Sequence, residues 1–237
     1  MENTQPKQSK ISTPMAIIAA GVLIMIGILL TNGGINGSKD TKDKTLSEQV
    51  GVSNEKLSEC MNSIDQTALS QKIQTSVDSA MKAVPSEQRG TPYAVIIGSN
   101  GVKTEIRGAE SYENIKKLID EVNSGTVTTK YEGGIVLDEE GDHTFGNANA
   151  SVRIIEYSDY ECPYCKVFQA TLKQIVDESN GSISWTYRHW PIHQNSFVKL
   201  IAAECVTQIK GNDAFWEYSD LLFGLLKTES ESVTNQL

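Results

Sequence analysis

The chain has 237 residues, 30 of them acidic and 21 basic, for a net charge of −9. Its composition is that of a globular protein, and its acidic balance argues against nucleic acid or an anionic lipid face as the main partner. Setting aside the first 31 residues leaves about 206, enough for one medium domain or two small ones around a real core.

Residues 1–10 carry Lys7 and Lys10 and precede Met15–Leu30, an unbroken run of 16 apolar or glycine residues. With Ile11–Pro14 and Thr31 the uncharged stretch reaches 21 residues. At about 1.5 Å per residue that is roughly 32 Å, the thickness of a hydrocarbon core. The expectation is a retained transmembrane anchor over 11–31 with a cytoplasmic N-terminus, the single span of a cell-membrane protein whose remainder is extracytoplasmic. A cleaved signal peptide is the rival, but Leu29-Leu30-Thr31-Asn32 offers no small-x-small site. Residues 32–44 read as a flexible tether.

Within 45–123, Leu69, Ile73, Val77, Ala80 and Val84 keep helical spacing until Pro85. Tyr93–Ile97 is a β-rich run, Gly98–Gly101 a turn, and Val102–Arg107 a returning strand. Ser111 caps a helix whose face is Ile115, Leu118, Ile119 and Val122, ending near Gly125. Residues 124–149, rich in Gly, Asp and Asn, read as an irregular linker. In 150–237, Val152–Tyr157 is a buried-strand candidate, followed by a helix from Pro163 to Glu178 and a strand from Ile183 to Arg188. Helices near Phe197–Lys210 and Asp213–Leu226 complete an α/β pattern with an all-helical part, and the last eleven residues are polar.

The chemistry sits at Cys162-Pro163-Tyr164-Cys165, after a strand and at the opening of a helix. Pro163 suits the first helical position, where its missing N–H costs nothing. Free N–H groups and the helix dipole at that tip stabilise a thiolate on Cys162. Cys165, Phe168, Leu172 and Ile175 form an apolar stripe, so Cys165 is expected inside and Cys162 exposed at the tip. A zinc site would need two more ligands, and His143, His189 and His193 do not pattern as a ligand pair, so no metal is expected. Glu156 lies six positions before Cys162 on the Ile154 face of its strand, where a buried carboxyl could relay a proton. The alternative is that it points to water.

The stretch Ile154-Ile-Glu-Tyr-Ser-Asp-Tyr-Glu-Cys-Pro-Tyr-Cys165, continued by Trp185-Thr-Tyr-Arg-His-Trp-Pro191, resembles the DsbA-like branch of the thioredoxin superfamily. Asp142–Asn147 looks like the lead-in to that family's first strand. Ala202–Cys205 and Phe215–Glu217 look like its helical insertion. The family's C-terminal half is similar to segments that come earlier here: Leu57–Asn62, the Gly90-Thr-Pro-Tyr93 loop, and Ile106–Tyr112 with the helix after it. The resemblance therefore implies a thioredoxin-like fold with a helical insertion, circularly permuted, with 45–123 as the C-terminal half and 150–237 as the N-terminal half. It implies an oxidase that donates a Cys162–Cys165 disulfide to exported protein thiols and is reoxidised by an integral-membrane partner, without a cofactor. It also implies that Thr91 and Pro92, with Pro163 and Tyr164, receive substrate, and that Glu156 is the family's buried acid.

A reductase or isomerase with the same site, or a redox-inactive membrane-tethered binding module, remains open at this stage. Cys60 and Cys205, each in a predicted helix of the helical part, are expected to form a structural disulfide, with two buried free thiols as the alternative. The sheet is expected to close within one monomer, with Thr91-Pro92 against Cys162, rather than across a swapped dimer.

Overall fold

The computed structural model describes residues 44–139 and 141–226. The expected anchor, the cytoplasmic stretch before it, all of the tether except Lys44, and the polar C-terminal tail lie outside the described residues. Among those residues no helix is long and apolar enough to cross a membrane.

The order of elements is α1 Leu46–Gln49, α2 Asn54–Ser63, α3 Gln66–Ala83, β1 Tyr93–Gly98, β2 Lys103–Arg107, α4 Tyr112–Ser124, β3 His143–Gly146, β4 Val152–Ser158, α5 Pro163–Glu178, β5 Ile183–His189, α6 Ser196–Lys210 and α7 Asn212–Gly224. The helix boundaries follow local chemistry. Asp65 caps α3 and Ser111 caps α4, and α4 ends at Gly125 with φ +74°, a conformation glycine adopts without strain.

The five strands form one sheet in the order β2-β1-β4-β5-β3. β4 and β5 run parallel, joined by the α5 crossover, and the other pairings are antiparallel. The register aligns Tyr93 with Tyr157, Ala94 with Glu156 and Ile96 with Ile154, so the first and second halves of the chain share one sheet. Both faces of β4 are covered, and Val152, Ile154, Ile155 and Tyr157 supply the apolar contacts on its two sides. On one face Ile154, Ala94, Ile96 and Trp185 pack with Ile115, Phe168, Leu172, Phe215 and Leu222. On the other, Ile155, Tyr157, Tyr93 and Val95 pack with Ala80, Ala83 and Trp190.

One feature departs from expectation. The stretch 124–149 is not wholly irregular, because His143–Gly146 pairs antiparallel with Ser184–Tyr187 at the sheet edge. Four residues in a Gly- and Asp-rich setting are too few for a period-two signal, and the pairing partner is some forty residues away. The rest of the connection is tied down. Tyr131 Oη donates to the Ala83 carbonyl at 3.0 Å, and Arg153 Nη2 donates to the Leu137 carbonyl at 2.6 Å. The guanidinium of Arg188 grips Asp142 with two bonds of 2.7 and 2.8 Å and also reaches Glu139 and Tyr157.

Cys60 of α2 and Cys205 of α6 are joined as a disulfide, with Cα atoms 5.8 Å apart and 145 positions of sequence between them.

Candidate active site

Three segments far apart in sequence meet at the tip of α5. β4 delivers the turn 159–162 at its C-terminal end, and Cys162 is the N-cap residue of α5 with Pro163 following. The turn is closed by Cys162 N donating to the Asp159 carbonyl at 3.1 Å and Glu161 N donating to Asp159 Oδ1 at 2.7 Å. Asp159, itself buried, also accepts from the backbone N–H groups of Ile192 and His193 and from the Ser196 hydroxyl. One carboxylate thus holds the Cys162 turn, the loop after β5 and the start of α6 in a single arrangement.

Opposite the turn, Thr91-Pro92 is a cis peptide, and the Cys162 thiol donates to the Thr91 carbonyl at 3.2 Å. Pro163 and Tyr164 are exposed, Tyr164 at 63%. Cys162 itself is only 3% exposed, which corrects the expectation of an open tip. The cover comes from the Thr91–Pro92 loop, 71 residues earlier in the chain. Cys165 is fully buried on the stripe with Phe168 and Leu172.

Cys162 and Cys165 are both free thiols here, and their environments drive them apart. The Cys162 pKa is lowered to about 6, first by a hydrogen bond from the Cys165 thiol. Burial opposes this, while the Thr91 side chain and the N–H groups of Cys165 and Tyr164 reinforce it. Burial pushes Cys165 well above the ordinary thiol range, and its partnership with Cys162 and the proximity of Glu156 push the same way. At neutral pH the pair therefore carries one thiolate, on Cys162.

Glu156 is fully buried beneath the pair, and burial raises its pKa to about 8 against the opposing influence of the Ser158 hydroxyl and the Trp185 indole. Its Oε2 accepts from Trp185 Nε1 at 2.8 Å, whereas Oε1 has no partner among the described residues. The carboxyl is thus protonated at neutral pH and holds a proton within the Cys165 environment. The sign of its effect on stability follows. The folded pKa lies above the unfolded one, so the unfolded chain loses this proton first as pH rises. Stability then falls between about pH 4.5 and 8, by at most about 1.4 kcal/mol per pH unit. Glu156→Gln should flatten that slope, and chemical denaturation at pH 5, 6.5 and 8 should show the variant gaining on the wild type at each step. A constant difference across the range would mean that Glu156 does not titrate there.

His143 and His189, which do not pattern as a ligand pair in the sequence, both turn their Nε2 atoms to Glu204 Oε1, at 2.8 and 3.0 Å. The three ligand atoms lie within 4.8 Å of one another, close enough to hold a cation. Lys72, however, ion-pairs with the second carboxylate oxygen of Glu204. Burial alone would raise the Glu204 pKa, but the two histidine bonds hold it well below the usual range. The cluster is a neutralised ionic network linking α3, β3, β5 and α6. Sequence separation hid it, as it hid the four donors that converge on Asp159. Arg188 carried no readable signal either: it follows Ser184 and Thr186 on the polar side of an alternating strand, and its burial comes from the distant residues packed over that face.

Residues 138–236 match the family described as Thioredoxin. The second half of the chain holds a thioredoxin-like domain. Disulfide bond formation protein D of Bacillus subtilis is 30% identical over 102 residues, covering 40% of this chain and 45% of that protein. A Na(+)/H(+) antiporter NhaA 1 of Salinispora arenicola is 32% identical over 88 residues, 37% of this chain but 13% of the antiporter. The crystal structure of Pseudomonas aeruginosa DsbA2 is similar over 37% of this chain and 50% of its own, at 33% identity and a TM-score of 0.34. The chain spans less than half the length of these curated relatives.

Proposed function

We propose that this chain is a DsbA-like, membrane-anchored thiol:disulfide oxidoreductase that introduces disulfide bonds into exported proteins. The observation that carries this reading is the split between the two thiols: a stabilised thiolate on Cys162 and a buried, protonated Cys165. Stabilising the reduced form in this way makes the corresponding disulfide a strong oxidant.

In the forward reaction a substrate thiolate attacks Sγ of Cys162 in the Cys162–Cys165 disulfide. The S–S bond breaks, its electron pair goes to Cys165, and a mixed disulfide forms. Cys165 takes a proton from Glu156, which Glu156 regains from the medium. A second substrate thiolate then attacks the substrate sulfur, and Cys162 leaves as a thiolate that needs no proton. The substrate is oxidised by two electrons and the enzyme holds them as a dithiol. An integral-membrane partner in the same membrane as the 11–31 segment would remove them. Thr91-Pro92 lies beside the reacting sulfur, with Pro163 and the exposed Tyr164 at the same tip, and these four residues are the proposed substrate contacts. The chain order is read as a circular permutation, supported by the pairing of β1 with β4 inside one sheet.

The reduction potential of the Cys162–Cys165 pair in the full-length chain, equilibrated against glutathione, tests the direction. An oxidase requires a value above about −180 mV, and a value near or below about −270 mV would point to a reductase.

A further inference from the structure

The turn that presents Cys162 is gripped from α6 by a lysine. Lys199 has a side chain only 7% exposed, between the buried Val198 and Leu200. Its ammonium ion-pairs with Glu161 Oε1 at 2.7 Å and donates to the Tyr160 carbonyl at 3.2 Å. Taking an ammonium out of water is costly, and an apolar side chain would pack this position more cheaply. Both of its partners lie on the two residues immediately before Cys162. One of them, Glu161, is an anion next to a sulfur that has to carry negative charge.

The other charged and titratable groups around Cys162 are already engaged. Cys165, on the same helix, donates to it, and Glu156 from β4 is neutral up to about pH 8. Asp159, after β4, spreads its charge over bonds to Glu161, Ile192, His193 and Ser196. Lys166, one turn along α5, carries its ammonium to the Leu226 carbonyl. His189 of β5 is turned to Glu204, and the Thr91–Pro92 loop offers a carbonyl and a hydroxyl. Glu161 is the remaining anion, and Lys199 is its partner.

We propose that Lys199 is a positioning residue for the redox pair: it holds the 159–162 turn and cancels the Glu161 carboxylate, so that this charge does not oppose the Cys162 thiolate. The proposal rests on the reading that Cys162 reacts as a thiolate.

The test is the pH dependence of iodoacetamide alkylation at Cys162, followed by peptide mass spectrometry on the reduced full-length chain in detergent. Wild type should show a midpoint near 6. Lys199→Met should move it up by about one unit, and the oxidising equilibrium against glutathione should weaken about tenfold, or roughly 30 mV. Lys199→Arg should restore both, and so should Glu161→Gln added to Lys199→Met. An unmoved midpoint in Lys199→Met, with only a lower melting temperature, would reduce Lys199 to packing and overturn the proposal. A double variant that stays shifted would overturn it too. If Lys199→Met does not fold, Glu161→Gln alone and the double variant still decide, because without the carboxylate the loss of Lys199 must leave the midpoint unchanged. A wild-type midpoint in the ordinary range of about 8.5 would sink the thiolate reading and this proposal together, whereas a wild-type value near 6 isolates a failure to Lys199 alone.

Discussion

Replacing Cys165 with Ser should turn the protein into a trap. Attack of the Cys162 thiolate on an oxidised substrate forms a mixed disulfide, and without Cys165 no intramolecular thiol can resolve it. The adduct should accumulate as a stable covalent species on non-reducing gels and map to Cys162 by peptide mass spectrometry. Replacing Cys162 with Ser should give no adduct and take oxidation of a dithiol peptide to background, a loss of the size seen when a covalent nucleophile is deleted, on the order of 10⁶-fold at the limit. The asymmetry follows from position. Cys162 caps the helix beside Thr91, while Cys165 lies on the buried stripe close to Glu156. Adducts mapped to Cys165, or equal trapping by both variants, would reverse the assignment.

The second large effect is on stability. Arg188 is 1% exposed at its side chain and is paired with Asp142 and Glu139, themselves 14% and 8% exposed. It also donates to the hydroxyls of Ser79 on α3 and Tyr157 on β4. Arg188→Met removes the cation and leaves two carboxylates with little access to water, a change that costs about 3–5 kcal/mol when a buried pair is broken from one side. Exposed pairs such as Lys130–Glu132, at 73% and 79%, should cost no more than about 1 kcal/mol when removed. Urea unfolding with an unchanged m-value is the measurement. A loss below about 1 kcal/mol for Arg188→Met would mean that its grip on Glu139 and Asp142 carries no weight in the fold.

How much of this was readable beforehand depended on whether the cause was local. β1 and β4 showed themselves because both faces of each are covered: Tyr93–Ile97 is apolar throughout, and Val152–Tyr157 is apolar at every position but Arg153 and Glu156. α5 announced its start through Pro163 and its inner face through Phe168, Leu172 and Ile175. Alternation along β4 put Glu156 with Ile154, and the strand does turn both inward. What stayed hidden depends on contacts between distant residues. The cover over Cys162, the edge pairing of β3, the Glu204 network and the grip of Lys199 each join side chains that no window of sequence brings together.

The Cys60–Cys205 bond has a consequence for the life history of the molecule. Under the proposed function this chain contains one copy of the product that it makes, and Cys205 is wholly enclosed once the bond is in place. A newly exported chain is therefore a client before it is a catalyst. Its first disulfide has to come from an older copy or from another oxidant, and the supply of active molecules then grows from molecules already finished. A cell that lost every mature copy at once would have to restart from an outside source of oxidising equivalents.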